Sequence, residues 1–237
     1  MIRTTIAVIC IAAIAPATAG AKCAFVEPAP HVLTPADTVI EDGGGVIVMA
    51  TGFTRSDTDE PDMQKAWRFA AGGTRVAPVL ERIAPGLVVY KLPATAAAFT
   101  LEDDKHASVV AVKRSDTRNA PKLAPPVIRS VDMSTSDRGR FESTAVTVHL
   151  PTEAPSGAFA MVIYSVDNGV RTPKSYGLVR GGERDIIVFH QGHCSFPPRG
   201  TTPTRVGESV AVAWIDRSGR VSEPSAAINV VVAHDAP

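Results

Sequence analysis

The segment AVTVHL, residues 145–150, alternates apolar and polar side chains without a break. Successive side chains of a β-strand point to opposite faces of its sheet. Val146, Val148 and Leu150 therefore share one apolar face, and His149 lies on the other. The pattern predicts a strand with a buried face and a solvent face, with His149 exposed.

Short apolar runs of this kind recur along the chain, separated by Gly, Pro, Asp and Ser. Many short strands spaced by turn residues are typical of β-sandwiches and barrels. Two glycine-containing stretches, DGGGV at 42–46 and RGGERD at 180–185, predict tight turns, because neither has the Gly-Lys-Ser/Thr ending of a phosphate-binding loop. Only residues 60–69 could hold a turn or two of helix. The predicted strands besides 145–150 are 46–49, 87–90, 108–112, 159–166, 186–189, 210–215 and 228–232.

The first residues have the features of a secretory signal peptide. Arg3 gives a positive start, residues 6–15 are continuously apolar, and Ala17-Thr18-Ala19 has the small side chains that signal peptidase accepts. We expect cleavage after Ala19 and a secreted or periplasmic bacterial protein. The apolar run is shorter than the roughly 20 residues that a membrane span needs, so we expect no membrane insertion after signal cleavage.

A proline-rich stretch, RNAPKLAPPV at 118–127, predicts the boundary between two domains. The predicted division is a signal peptide at 1–19, a first β-sandwich at 20–118, a linker at 119–123 and a second β-sandwich at 124–234. Each half then has about 100 residues, the size of one immunoglobulin-type (Ig) sandwich.

The segment VAVAWIDRSGRVSEPS, residues 210–225, resembles the last hairpin of a bacterial fibronectin type III or related Ig-like domain. In that family a strand ends in Asp or Asn, a glycine-containing turn follows, and the next strand opens with Ser. Asp216, Gly219 and Ser222 match those positions, whereas Glu208 stands where the family often has a corner tyrosine. The resemblance implies an all-β protein of two tandem Ig-like or fibronectin III-like sandwiches. It also implies an adhesive or spacer role outside the cytoplasm and no catalytic residues.

The charge balance argues against nucleic acid and anionic membranes as partners. The chain has 24 basic and 24 acidic side chains, and loss of Arg3 with the signal leaves a formal charge of −1. Both of those partners are held mainly by basic patches.

The cysteines predict a disulfide bond. Of three cysteines, Cys10 leaves with the signal, so Cys23 and Cys194 form the one pair available in an oxidising compartment. Cys194 lies in HQGHCSF, residues 190–196, the stretch richest in reactive side chains.

The same stretch leaves a metal site open as an alternative. His190, His193 and Cys194 are ligand types that suit zinc or copper, and Cys23 could supply a fourth ligand. In a regular strand the two histidines point to opposite faces, so a bend at Gly192 would be needed to bring them together.

An acidic stretch, RSDTDEPDMQ at 55–64, is a candidate calcium site through Asp57, Asp59, Glu60 and Asp62. It departs from the EF-hand pattern, because Asp62 stands where that loop needs glycine. A solvated loop is the alternative interpretation.

Three function hypotheses follow. The first is a non-enzymatic interaction or structural module without a cofactor, which binds an unknown protein or cell-envelope partner through loops or an exposed sheet edge. Residues 87–92 and 158–166 are runs that could be exposed, but nothing in the sequence picks one of them as an edge. The second is the metal-binding protein. The third is a hydrolase whose site assembles in space, because the chain has no Gly-x-Ser-x-Gly or His-Glu-x-x-His motif. Among the aromatic side chains we expect Trp214 in the core, while Trp67 is a weak candidate for a sugar contact.

Overall fold

The computed structural model describes residues 30–36, 38–50, 67–71, 74–77, 79–91, 98–103, 110–115, 121–137, 142–192 and 201–233. Within these ranges every regular element is a β-strand, and the strands form four sheets. The prediction of an all-β protein is confirmed. The described residues include no helix of the length and hydropathy needed to cross a membrane.

The strands before residue 115 form sheets A and B. The strands are β1 (Pro30–Val32), β2 (Val39–Ile40), β3 (Gly45–Ala50), β4 (Trp67–Ala71), β5 (Thr74–Val76), β6 (Val79–Ala84), β7 (Leu87–Lys91), β8 (Ala98–Asp103) and β9 (Val110–Arg114). Sheet A has the order β1-β3-β7-β6, and sheet B has the order β2-β9-β8-β4-β5. Neighbouring strands are antiparallel except for β2 and β9, which are parallel.

The strands from residue 130 onward form sheets C and D. The strands are β10 (Ser130–Asp137), β11 (Glu142–His149), β12 (Ala158–Asp167), β13 (Val170–Leu178), β14 (Asp185–Gln191), β15 (Ser209–Asp216), β16 (Ile228–Asn229) and β17 (Val231–Val232). Sheet C has the order β14-β11-β10-β17, and sheet D has the order β13-β12-β15-β16. The pair β10 and β17 is parallel.

Two sequence predictions about these elements need correction. The helix considered for residues 60–69 is wrong over its last three residues, which belong to β4; residues 60–66 lie outside the described ranges. Phe69 is buried opposite Leu101 of β8, and an inward aromatic ring suits a pleated sheet. The single strand predicted at 228–232 is instead two short strands, because the chain passes at the buried Val230 from sheet D to sheet C.

Each pair of sheets encloses a hydrophobic core, an arrangement compatible with a β-sandwich. The apolar face predicted for residues 145–150 is confirmed, and Trp214 is buried as expected. The core between sheets A and B contains Ile40, Val46, Val48, Phe69, Val88, Tyr90, Leu101, Val110 and Val112. The core between sheets C and D contains Val131, Val146, Val148, Leu150, Met161, Ile163, Ile186, Val188, Phe189, Val210, Val212, Trp214 and Val230.

A third core joins the two pairs. The faces of sheets A and D that point away from the first two cores pack against each other, so the layer order is B, A, D, C. We call this contact the central interface. Its buried residues are Ile47, Ile83, Ala84, Leu87 and Val89 of sheet A, and Ala160, Val162, Ala213 and Ile215 of sheet D.

The central interface corrects the interpretation of residues 87–92 and 158–166 as runs that could be exposed. The described part of 87–92 is β7, which lies between β3 and β6, and 158–166 belongs to β12, which lies between β13 and β15. Both are internal strands with layers packed on both faces. Their continuous apolar composition is the pattern of a strand buried on both sides.

Two turns, one from each pair of sheets, are joined by a hydrogen bond beside the central interface. The Asp216 side chain accepts hydrogen bonds from the N–H groups of Ser218 and Arg220, both at 2.9 Å, and Gly219 has φ +74°. The Ser218 carbonyl then accepts the N–H of Gly45 at 2.8 Å. A Cβ on Gly44 would lie 2.5 Å from that carbonyl oxygen, so this close approach needs glycine. The turn predicted at 42–46 is confirmed and serves as the docking site of the second turn.

The residues after this turn differ from the hairpin that the family resemblance implies. Ser222 does not begin a strand. Its hydroxyl oxygen accepts a hydrogen bond from the backbone N–H of Trp214, and the Ser225 hydroxyl oxygen accepts one from the backbone N–H of Val212, both at 3.0 Å. Serine side chains thus satisfy backbone groups of β15 that a neighbouring strand would otherwise satisfy. Farther back along the chain, the turn predicted at 180–185 is confirmed by the positive φ of Gly182.

Candidate functional site

Most of the site residues proposed from the sequence lie outside the described residues: Cys23, His193, Cys194, Asp57, Asp59, Glu60 and Asp62. The disulfide bond, the calcium site and most of the metal site therefore stay predictions. His190 is described; it lies near the end of β14 with an exposed side chain, on the face of sheet C that it shares with Ala145. The linker predicted at 119–123 is described only from residue 121.

His149 is more enclosed than its sequence pattern predicts. It lies on the outer face of sheet C, directly opposite Ser130 of β10 and Asp185 of β14. Its Nδ1 lies 2.7 Å from Asp185 Oδ1, and its Nε2 lies 3.4 Å from Asp132 Oδ2. The two carboxylates cover the ring, so that only 30 % of the side chain is exposed. The predicted face is right, and the predicted exposure is too high.

A cavity of about 380 Å³ opens beside this histidine. Asp132 contributes the carboxylate oxygen Oδ1, which is buried and accepts no hydrogen bond from any described residue. Buried polar atoms without a partner are uncommon and call for an explanation. Strand alternation alone could have placed Asp132 and Asp185 on this outer face, although it could not have shown that they meet at His149. The cavity is lined by Arg129, Ser130, Asp132, His149, Leu150, Pro151, Arg184 and Asp185.

The geometry around His149 bears on the hydrolase hypothesis. Ser130, His149 and Asp185 are the three residue types of a catalytic triad, and they occupy neighbouring strands. In a triad one imidazole nitrogen contacts the carboxylate while the other contacts the serine hydroxyl. Here the second nitrogen faces Asp132 instead. The arrangement holds the imidazole between two acceptors and leaves no ring nitrogen directed at a nucleophile.

The same geometry disfavours a metal ion at His149. Asp132 and Asp185 contact opposite nitrogens of one ring, so the two carboxylates lie on opposite sides of the imidazole. They cannot converge with a ring nitrogen on one ion. Across the ranges that the structure describes, no three His, Cys, Asp or Glu residues are grouped so that they could hold a metal.

Sheet C also has an open edge. Strand β10 pairs with β11 over all eight of its residues, but with β17 only at Asp132 and Met133. Among the described residues, the β17 side of 134–137 has no strand partner. The β17 residues Val231 and Val232 are 46 % and 54 % exposed. An edge with free backbone groups beside exposed valines is a template for pairing with another strand.

Glu208, the departure from the family pattern, forms a polar corner at the start of β15. Its carboxylate accepts hydrogen bonds from the Lys174 ammonium at 2.7 Å and from the backbone N–H of Arg205 at 2.9 Å. A corner tyrosine likewise bonds to the backbone a few residues upstream. Burial raises the pKa of Glu208, but hydrogen bonds from Lys174, Arg205 and Ser165 outweigh burial and bring the pKa below its ordinary value. The carboxylate thus bonds both a side chain and the backbone at the start of β15.

Among known proteins, neither a family model nor a curated protein matches the chain.

Proposed function

We propose that the chain is an exported, non-enzymatic interaction or structural module built from two Ig-like β-sandwiches, and that it binds its partner through the open β10/β17 edge of sheet C. The bacterial origin and the export of the chain rest on its N-terminal segment and its hairpin resemblance. The partner class is a protein or cell-envelope component that offers an extended segment.

Strand order in the N-terminal pair supports the Ig-like assignment. Ig sandwiches, with strands lettered in chain order, have one sheet of A, B, E and D and another of C, F and G, which C′ extends in variable-type domains. Taking β1 as A, β3 as B, β7 as E and β6 as D reproduces the order of sheet A. Taking β9, β8, β4 and β5 as G, F, C and C′ reproduces sheet B, with β2 added beside G.

Strand order in the C-terminal pair supports the same assignment. Taking β10, β11 and β14 as A, B and E accounts for sheet C, and β13, β12, β15 and β16 become C′, C, F and G in sheet D. In this scheme β17 is the second part of strand G, which crosses to sheet C and pairs in parallel with strand A.

The open edge is the observation that carries the binding mode. Since sheets A and D cover each other's faces, the sheet faces open to a partner are the outer faces of sheets B and C. At the β10/β17 edge, the main-chain groups of 134–137 have no strand partner among the described residues, and the side chains of Val231 and Val232 are exposed beside them. Strand addition takes affinity from main-chain hydrogen bonds and specificity from flanking side chains.

Site-specific photo-crosslinking in cells tests this proposal. A photoreactive side chain at Val232 should give a discrete adduct, whereas one at Val127, which is exposed in the segment before β10, should not. Val232→Lys should reduce capture by a second probe at Ser134, because charge on an edge opposes strand pairing. Val127→Lys is the matched control. Equal crosslinking from Val232 and Val127 would contradict the edge assignment.

A second candidate, a zinc- or copper-binding protein that uses His190, His193 and Cys194, has one observation in its favour. His190 is exposed at the end of β14, immediately before the remaining candidate ligands in the chain. Thiol titration and elemental analysis of the unreduced exported protein separate the candidates. Two free thiols with bound metal favour the metal protein, whereas a Cys23–Cys194 peptide pair removes one of its ligands.

A further inference from the structure

We propose that Asn168 is a modification site, at which the side-chain amide converts to a carboxylate through spontaneous attack by the backbone nitrogen of Gly169. The co-reactant is water, and the products are aspartate and isoaspartate. The site lies at the tip of the β12–β13 hairpin in sheet D, not at the β10/β17 edge of sheet C, and it does not depend on the proposed partner.

The hairpin tip brings together the two residues that the reaction needs. Asp167 pairs with Val170, so Asn168 and Gly169 form a two-residue loop between the strands. Their φ values of +48° and +79° are those of a type I′ turn, in which Asn-Gly is a preferred sequence. Both residues are exposed, and a Cβ on Gly169 would meet nothing within 4 Å beyond its chain neighbours. Water therefore has open access to the turn.

The reaction balances with water alone. Once hydroxide has removed its proton, the Gly169 nitrogen forms a bond to Cγ of Asn168, and the side-chain nitrogen leaves as ammonia. The product is a succinimide ring, which water opens at either carbonyl to give aspartate or isoaspartate. Glycine favours this attack because it has no side chain to obstruct the approach of its nitrogen.

The folded turn slows the attack without preventing it. At the first central position of a type I′ turn ψ is roughly +30°, and ring closure needs a rotation about ψ that carries the Gly169 nitrogen toward the Asn168 side chain. The tip must therefore open before the ring can form. Exposed turns with few buried apolar contacts open at a low cost in free energy, whereas the paired strands of the core do not.

Asn229 is a matched control within the chain. It lies in β16, and the next backbone nitrogen, that of Val230, donates a hydrogen bond to the Glu208 carbonyl at 2.9 Å. Val230 is also buried, and its β-branched side chain crowds the nitrogen that would have to attack. We therefore expect the amide of Asn229 to persist while that of Asn168 is lost.

Peptide mapping by mass spectrometry, after incubation of the folded protein in buffer, tests the inference. Conversion at Asn168 should be at least about tenfold faster than at Asn229 and should yield both aspartate and isoaspartate. It should be faster at mildly alkaline than at mildly acidic pH, because hydroxide removes the amide proton. In urea, which opens the hairpin, conversion at Asn168 should accelerate.

The variant Asn168→Asp sharpens the test, because its peptide identifies the aspartate product and can release no ammonia from this position. Ammonia released by the unaltered protein should match the loss of the Asn168 amide and should be reduced accordingly in the variant. Conversion at Asn168 in urea but not in the folded protein would overturn the proposal. Equal rates at Asn168 and Asn229 in the folded protein would overturn it as well.

Discussion

Strands β15 and β11 differ in how many of their faces are buried. In the second half of β11, from Ala145 to His149, buried and less buried side chains alternate, because one face contacts the core and the other forms the outer face of sheet C. In β15, all residues after the first are buried, because sheet C covers one face and sheet A covers the other. The absence of alternation in an antiparallel strand thus marks a strand with a layer on each side.

The two environments also differ in chemistry. The central interface contains several alanines, Ala84, Ala160 and Ala213, which let the backbones of the two sheets come close. The outer face of sheet C contains serine, threonine, histidine and aspartate, with Ile187 as an exposed apolar side chain among them. Substitutions should therefore have large effects on stability at the first surface and small effects at the second.

The largest effect is expected from Ile47→Ala in the central interface. Removal of this fully buried side chain should lower the free energy of unfolding by about 2–5 kcal/mol. The matched change Ile187→Ala, at a side chain that is 54 % exposed, should cost about 0.5 kcal/mol or less. Chemical denaturation of both variants provides the comparison, and similar losses at the two sites would contradict the layer order.

The next effect is expected from Gly219→Ala. Its φ of +74° strains any other residue, and the new Cβ would lie 2.8 Å from a methyl carbon of Val89 across the central interface. We expect a loss of about 2–3 kcal/mol from strain and overlap together.

Gly182→Ala isolates the strain, because Gly182 has φ +81° and open space at its Cβ. It should lose only about 1 kcal/mol. Equal losses for the two variants, measured by thermal unfolding, would mean that the contact between Gly219 and Val89 contributes nothing.

A smaller, pH-dependent effect is expected from Glu208→Gln. The folded pKa of Glu208 lies below its ordinary value, so the folded state binds fewer protons there than the unfolded state. The stabilisation is complete above the ordinary carboxyl pKa and is lost as the pH falls through the folded pKa. The variant should lose about 1–2 kcal/mol at neutral pH, and the difference from the unaltered protein should shrink in acid. A difference that stays constant or grows in acid would contradict the charged corner.

The smallest effect is expected from Asp185→Asn on the outer face of sheet C. The Asp185 side chain is 67 % exposed, and exposed ion pairs contribute little. We expect a change of about 0.5 kcal/mol or less in the free energy of unfolding. A loss as large as that of Ile47→Ala would show that the His149 cluster holds sheet C together.

The all-β class, several strands and two turns could be predicted from residue patterns, because alternation and glycine placement are local signals. Alternation at 145–150 placed His149 on the correct face. It could not reveal the contacts with Asp132 and Asp185, because those residues are brought to His149 by strand pairing.

The central interface does not follow from the sequence, for a different reason. The continuous apolar composition of 87–92 and 158–166 fits exposable runs, and it is also the pattern of strands buried on both faces. Local pattern cannot show which of two sheets covers such a strand. Glu208 was seen only as a departure from the family pattern, because its partner Lys174 lies 34 residues away in the chain.

We expect sheets A and D to join the two pairs of sheets into one cooperative unit. Differential scanning calorimetry of the unaltered protein and of Ile47→Ala tests it most directly. If they do, the protein unfolds in one transition with calorimetric and van't Hoff enthalpies in agreement, and the whole transition moves to lower temperature in the variant. Two separate transitions, of which Ile47→Ala lowers only one, would show that the pairs unfold independently and that the central interface does not couple them.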